Sequence, residues 1–320
     1  MKLPRLEDLN VLGKKVLVRA DLDTDYRLQT LISTLDYLVK SNTKIILIGH
    51  KGRPDGKVVE NLSLKPVSKL FAKMLMKELG EEKMKKLDMH VMENLRFNPG
   101  EETNDEHFAK HLAENGDVFI NEAFAASHRK HASIVGLPKL LPSAAGLHFI
   151  KEVENLSRVV NQPKKPVLVI IGGAKKDKLD YVEGFKEFAD KILVGGRLPE
   201  FMPESTSNDK LIIARLIQDK EDITIRSIEE FGEEIAKAGT IVVVGPMGKF
   251  EEEGHRMGTE RVFKSIVKSS AFKLAGGGDT RKAISMLGFS DKFDWISVGG
   301  GAMLEYLANG TLPGIQALLN

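Results

Sequence analysis

The chain contains no cysteine, which excludes disulfides, thiolate metal sites and cysteine nucleophiles. It has no excess of either charge: 47 Lys+Arg stand against 45 Asp+Glu, a formal net charge of +2. That balance argues against a general binder of nucleic acid or membrane surfaces, so any anion site must be a local cluster. Long apolar runs are missing as well. The strongest, such as Val167–Ile171, are far too short to cross a bilayer. The opening MKLPRLEDLN has no apolar stretch of signal-peptide length, and the expected location is the cytoplasm. Neither an internal repeat nor a low-complexity segment is found. No G-x-x-x-x-G-K-[ST] loop occurs, and no G-x-G-x-x-G follows the first strand of either half with an acidic residue at the usual distance. These absences argue against P-loop ATPases and against dinucleotide oxidoreductases of the fingerprint type.

What is present is a repeating pattern of a short β-branched run, a polar or glycine-rich turn, and an amphipathic stretch. Continuous rather than alternating apolar runs are the mark of strands buried on both faces of a parallel sheet. The expected strands of the first half are Lys15–Arg19, Lys44–Ile48, His90–Met92 and Asp117–Ile120. Those of the second half are Val167–Ile171, Lys191–Val194, Asp222–Ile225, Thr240–Val244, Phe272–Ala275 and Trp295–Val298. Helical stretches such as Ser63–Leu79 and Thr259–Lys268 separate most of them. Strand–helix alternation over 320 residues implies two α/β domains. Their boundary is expected near 150–165, where a helical stretch, Ile150–Val160, runs into Pro163 and Pro166.

Ligands of open α/β sheets bind beyond the carboxyl ends of the strands, and there the two halves differ. The first half places charged residues after its strands: Arg19-Ala20-Asp21-Leu22-Asp23 with Arg27 close behind, Gly49-His50-Lys51-Gly52-Arg53, Glu93-Asn94-Leu95-Arg96, and Asn121-Glu122 followed by Ser127-His128-Arg129-Lys130-His131. The planar guanidinium fork suits phosphate and carboxylate, so this edge reads as a pocket for a small, highly charged anion. The second half places glycines: Gly172-Gly173-Ala174-Lys175, Gly195-Gly196-Arg197, Gly245-Pro246-Met247-Gly248, Gly276-Gly277-Gly278-Asp279-Thr280 and Gly299-Gly300-Gly301. Glycines let backbone N–H groups approach phosphate oxygens, and a following helix N-terminus adds favourable charge. This edge reads as a nucleotide site, with Asp279 a hard oxygen ligand for Mg²⁺. Taken singly, each element has a plainer reading: a glycine is a tight turn, an arginine a solvated charge, and Glu251-Glu252-Glu253 a solvated face. The segregation of residue types between the halves is what favours function.

With those residues in place the chain resembles phosphoglycerate kinase. The resemblance runs from Val16 to about Leu318 and rests on VRAD (18–21), GHKGRP (49–54), ENLRFNPGEE (93–102), NEAFAASHRKHAS (121–133), GGAK (172–175), GPMGKFE (245–251), GGGDT (276–280), GGGA (299–302) and LPG (312–314), in the family's order. It implies reversible phosphoryl transfer between ATP and 3-phosphoglycerate with Mg²⁺, by a monomer that binds neither nucleic acid nor membrane. It implies an α/β fold of two Rossmann-like, three-layer domains with parallel sheets, joined by a hinge helix. The first, 1–155 with 308–320 packing back on it, would carry 3-phosphoglycerate; the second, 156–307, would carry the nucleotide. By motif, Asp21, Asp23, Arg27, His50, Arg53, Arg96 and Arg129 look like substrate ligands. Gly173, Lys175, Lys178, Gly196, Glu251, Gly277, Gly278, Asp279 and Thr280 look like nucleotide ligands, with Asp279 on the metal. Arg27, Lys178, Gly278 and Gly301 are the residues expected at the transferring group.

The chain also departs from the family. Asp23 stands at a usual asparagine, GGAKKDK is one residue shorter than usual, Gly195-Gly196-Arg197 lacks a third glycine, and a long segment between Pro199 and Leu211 is nearly absent. These departures motivate a second reading, a weakly active or inactive paralogue that binds nucleotide. A third, an oxidoreductase or sugar-nucleotide enzyme on two such domains, predicts NAD(P) binding and is disfavoured by the missing fingerprint.

Overall fold

A computed structural model describes residues 2–203 and 209–320. The chain divides into two compact units, one running to Val153 and including Thr311–Asn320, the other spanning Glu154–Gly310. Each is built on one parallel sheet.

The first sheet holds β1 (Lys15–Arg19), β2 (Lys44–Ile48), β3 (Asp88–Val91), β4 (Val118–Asn121) and β5 (Ser143–Ala145), in the order β3-β2-β1-β4-β5. Successive β1 side chains serve opposite faces, as strand geometry requires. Val16 and Val18 join Leu35, Leu38 and Phe71 on one side, while Leu17 joins Leu112, Phe119 and Leu137 on the other. That two-sided burial is why the run is uniformly apolar until it reaches Arg19. The register sets Arg19 level with Ile48 of β2 and Asn121 of β4, so the loops after these strands line one edge. The order reverses at β1, which opens a crevice between β1 and β4.

The second sheet holds β6 (Val167–Ile171), β7 (Lys191–Val194), β8 (Leu211–Ile213), β9 (Thr240–Val244), β10 (Phe272–Gly276) and β11 (Trp295–Ser297), in the order β11-β10-β9-β6-β7-β8. Every residue of β6 and β9 is buried. Ile171 is level with Val194 and Val244, and Gly276 with Val244 and Ser297, so the glycine turns also line one edge. Here the order reverses between β6 and β9.

Three sequence expectations change. Asp222–Ile225 is not a strand: Ile223 makes only an isolated antiparallel bridge to Leu216, and Ile225 opens a helix over Ile225–Lys237. Thr224 caps that helix through the Ser227 N–H, and the buried positions Ile228, Phe231 and Ile235 follow helical spacing. The sheet edge beside β7 is taken instead by β8, three residues long and without a clear pattern. β5 was also not expected, because Ser143-Ala144-Ala145 has no bulky apolar run.

The helix over Leu147–Asn161 crosses the boundary between the units. The final helix, Pro313–Leu319, belongs to the first unit, where the Gly314 N–H donates to the Ser127 carbonyl at 2.9 Å. Among the described residues no helix is long and apolar enough to cross a membrane.

Candidate active site

At the crevice of the first sheet, Arg19 emerges from β1 fully buried. Its Nε donates to Ser133 Oγ at 2.8 Å, one Nη donates to the Ala20 carbonyl, and the other contacts His50 Nδ1 at 2.8 Å. Asp21 follows. One carboxylate oxygen accepts from the Ala125 N–H at 2.8 Å, while the other is buried and has no partner among the described residues. Burial pushes this carboxyl up, and the opposing pull of Arg27 and Arg19 does not fully offset it. Arg27 lies on a short helix over Asp25–Thr30. Its Nη1 donates to both oxygens of Asp23 at 2.8 Å. The carboxylate at 23 therefore engages Arg27 through an exposed-edge pair.

The remaining basic groups crowd the same edge. Arg96 is buried; it donates to the Gly52 carbonyl at 2.6 Å and lies 3.1 Å from a Glu102 oxygen, yet its second Nη has no partner among the described residues. Burial, followed by the charge of Arg129, brings the Arg96 guanidinium down to about 10. Arg129 is itself lowered by burial and by Arg53. His128 is pushed down to about 4 by burial and then by Arg129, with its Nδ1 buried and unpartnered among the described residues. Arg53 is exposed at the rim. Burial is the first cause of these lowered basicities, and the crowding of Arg53, Arg96 and Arg129 adds to it; buried cations gathered on one edge favour an anion there.

In the second unit the turns after β6 and β9 are fastened together. Gly172 N–H donates to Val244 O at 2.8 Å and Gly173 N–H to Pro246 O at 2.7 Å. Gly245 has φ +99°, and a Cβ there would lie 2.1 Å from the Gly172 carbonyl, so only glycine fits. The turn at Gly195-Gly196 joins them through Arg197 N–H, which donates to Gly173 O at 2.9 Å. Two helix N-termini meet at the same edge: Gly278–Met286, preceded by Gly277, and Gly300–Asn309. A Cβ at Gly300 would come within 2.6 Å of Gly277 Cα. Gly278 faces open space and Gly301 is exposed.

Lys178 reaches back into this cluster and donates from Nζ to the Gly172 carbonyl at 2.6 Å. Burial lowers its ammonium to about 8, against the upward pull of Asp279 and Asp177. The shortened turn thus keeps Lys178 electrostatically linked to the helix start that bears Asp279. Lys175 and Glu251 are exposed on flanking turns. Thr280 is buried, its Oγ1 accepting from Gly245 N–H at 2.6 Å, so it ties the turn together from beneath. Asp279 is 58% exposed and 3.8 Å from Lys282. Among the described residues no group of three or more histidines and carboxylates is placed to hold a metal. One carboxylate with no protein cage fits Mg²⁺, which is bound by few protein ligands when substrate phosphates supply others.

Sequence reading placed Arg19 and His131 on the basic edge but gave no role to Glu101 and Ser133, which lie in the layer beneath it. Glu101 is fully buried and accepts from the Ser133 N–H at 3.0 Å and its hydroxyl at 2.6 Å. The available signal was an arginine closing an otherwise apolar strand run.

Comparison with known proteins identifies the family. The family described as Phosphoglycerate kinase matches residues 6–209 and 204–310. A phosphoglycerate kinase of Finegoldia magna is 34% identical over 393 aligned positions, covering 99% of each chain. One of Coprothermobacter proteolyticus is 32% identical, covering 100% of this chain and 99% of its own. Alignments of 393 positions against a chain of 320 residues mean that segments of the relatives are missing here. Solved phosphoglycerate kinases from Coxiella burnetii (27% identity, 99% of both chains) and Pyrococcus horikoshii (28%, 99% of this chain and 98% of the other) each superpose with a TM-score of 0.83.

Proposed function

The chain belongs to the phosphoglycerate kinase family, and from that premise we propose that it transfers a phosphoryl group reversibly between ATP and 3-phosphoglycerate, with Mg²⁺, as a step of glycolysis and gluconeogenesis. The observation that carries the reading is the segregation of the two edges: crowded guanidinium groups on the first unit and glycine turns with Lys178 on the second. The first unit would hold the acid through Asp21, Asp23, Arg27, His50, Arg53, Arg96 and Arg129. The second would hold ATP or ADP through Gly173, Lys175, Lys178, Gly196, Glu251, Gly277, Gly278 and Thr280.

A carboxylate oxygen of the acid attacks the γ-phosphorus. A new P–O bond gives the acyl phosphate, and the bond to the β,γ-bridging oxygen breaks, leaving its electrons on ADP. The nucleophile is already ionised, so no general base is needed. The protein's task is positioning and charge neutralisation. Arg27 and Lys178 would bind the oxygens of the transferring group, and the N–H groups at Gly278 and Gly301 would donate to the phosphates. Asp279 would hold Mg²⁺, which when bound supplies further positive charge to the phosphates. Transfer requires both ligands to be brought together with water excluded, a motion the reading assigns to the helix over Leu147–Asn161. A cytoplasmic monomer is part of the same reading.

The Asp23–Arg27 pair favours a second reading, a paralogue that binds nucleotide and transfers slowly, because it engages the arginine expected at the phosphoryl group. Steady-state turnover decides between them. ADP production that depends on 3-phosphoglycerate and Mg²⁺ supports the kinase; calorimetric ADP binding without turnover supports the paralogue.

A further inference from the structure

We propose that Arg19 is a positioning residue that fixes His50 in one neutral tautomer, with its proton on Nε2, so that the ring presents a donor to the substrate anion. This rests on the reading of the first unit as the acid's site, and goes beyond it by giving Arg19 a task distinct from binding the anion.

The argument is one of donor and acceptor counting. A guanidinium has five N–H donors and no acceptor. At 2.8 Å from an Arg19 Nη, His50 Nδ1 must therefore be the acceptor and carry no proton. The imidazolium is excluded as well, because it would set a second N–H against the donor. The proton of the neutral ring then lies on Nε2, which makes no hydrogen bond among the described residues. Burial, with Arg19, Arg96, His131 and Arg129 around it, holds the ring's basicity well below the usual histidine range, in keeping with a ring that stays neutral.

Arg19 can impose this because its own orientation is fixed. It is fully buried, with Nε on Ser133 Oγ and an Nη on the Ala20 carbonyl. Ser133 Oγ, having accepted from Arg19, passes its single proton to Glu101 Oε1 at 2.6 Å. Glu101 is buried and is kept below the usual carboxylate range: His131, Arg19 and Ser133 together outweigh the upward push of burial. The order Glu101, Ser133, Arg19, His50 is thus a series in which the guanidinium donates on both sides, so that Ser133 Oγ accepts from it and gives its proton to Glu101 while His50 Nδ1 accepts. It starts from a carboxylate that can only accept and ends at a ring nitrogen that can only accept. The outcome is a neutral donor among charged ones. It adds directional recognition of an anion oxygen without adding a further charge to a site already crowded with cations.

The test is two-bond ¹H–¹⁵N correlation of the unmodified protein, without ligand, at pH 6 to 8. The expected result is a protonated Nε2 and an unprotonated Nδ1 for His50, with no titration in that range. A proton on Nδ1, or an imidazolium at pH 7, overturns the proposal. Arg19→Gln should give a mixture of tautomers and raise KM for 3-phosphoglycerate about tenfold or more, the scale of a lost hydrogen bond to a charged group, while KM for ATP stays within about twofold. Unchanged tautomer and KM in that variant also overturn it. If Arg19→Gln does not fold, the spectrum of the unmodified protein still decides. If the spectrum is as expected but turnover is absent, the tautomer assignment stands and the kinase reading falls.

Discussion

At the scale of single residues, the proposed site turns on Asp23 and Lys178. Asp23 holds Arg27 by two 2.8 Å contacts at an edge where both side chains are partly exposed. Pairs of that kind are worth about 0.2–1 kcal/mol, too little to disable an arginine but enough to slow it. Asp23→Asn is expected to raise kcat by up to about fivefold, the rate equivalent of about 1 kcal/mol; a lowered kcat would show that Asp23 assists Arg27. Lys178 titrates near 8 in the ligand-free protein. Its charge is present below that value and lost as pH rises through it, whereas bound phosphates favour the charged form. ADP affinity measured by calorimetry is therefore expected to weaken about tenfold between pH 7 and pH 9. Lys178→Met should bind weakly at pH 7 and lose most of that dependence; a Kd independent of pH in the unmodified protein would separate Lys178 from the phosphates.

The strand-end placement of the candidate residues was legible in the sequence, because arginines and glycines after apolar runs can be placed by strand periodicity alone. Pairings such as Asp23 with Arg27 were not, since they depend on the rotamers of a shortened loop. The series beneath the basic edge was hidden for another reason: Glu101 and Ser133 are 32 residues apart, and Arg19 lies 114 residues from Ser133.

At the scale of elements, the helix over Leu147–Asn161 is capped by a residue from the end of a strand. Glu122 leaves β4 just before the turn that carries the Ala125 N–H to Asp21, and its side chain turns the other way. It accepts from the N–H groups of His148 and Phe149 at 2.9 and 2.8 Å and from Thr34 Oγ1 at 2.5 Å. It thereby satisfies the second and third N–H groups of the helix, while Thr34 Oγ1 accepts from the first, that of Leu147, at 3.0 Å; these groups have no intrahelical partner. A Cβ at Gly146 would lie 2.3 Å from the same carboxylate, so the glycine makes room for the cap. Losing a cap of this kind costs about 2 kcal/mol at the upper end. Glu122→Ala is expected to lower Tm by about 5 °C in a thermal melt, with Glu122→Gln recovering part of the loss. An unchanged Tm would show that solvent replaces the cap. Sequence reading recovered the strands buried on both faces, such as β6 and β9, and also the partly exposed edge strands β3 and β11. It missed β5 and β8, edge strands of three residues each. Asp222–Ile225 was misread because Thr224 as a helix cap and Thr224 as a β-branched strand residue look alike until Ile228 and Phe231 reveal the period.

At the scale of the whole molecule, two parallel sheets of similar build carry opposite chemistry at the same place, the carboxyl ends of their strands. The first collects basic groups and the second glycine turns, and under the proposed function the one would hold the acid and the other the nucleotide, in a chain of 320 residues where relatives align over 393 positions. The most direct test follows the phosphoryl group itself. With ATP labelled at the γ-phosphorus, 3-phosphoglycerate and Mg²⁺, the label is expected in an acyl phosphate, with one ADP formed per label moved and none without the acid. Label that remains in ATP, or that appears as inorganic phosphate irrespective of the acid, would contradict the account.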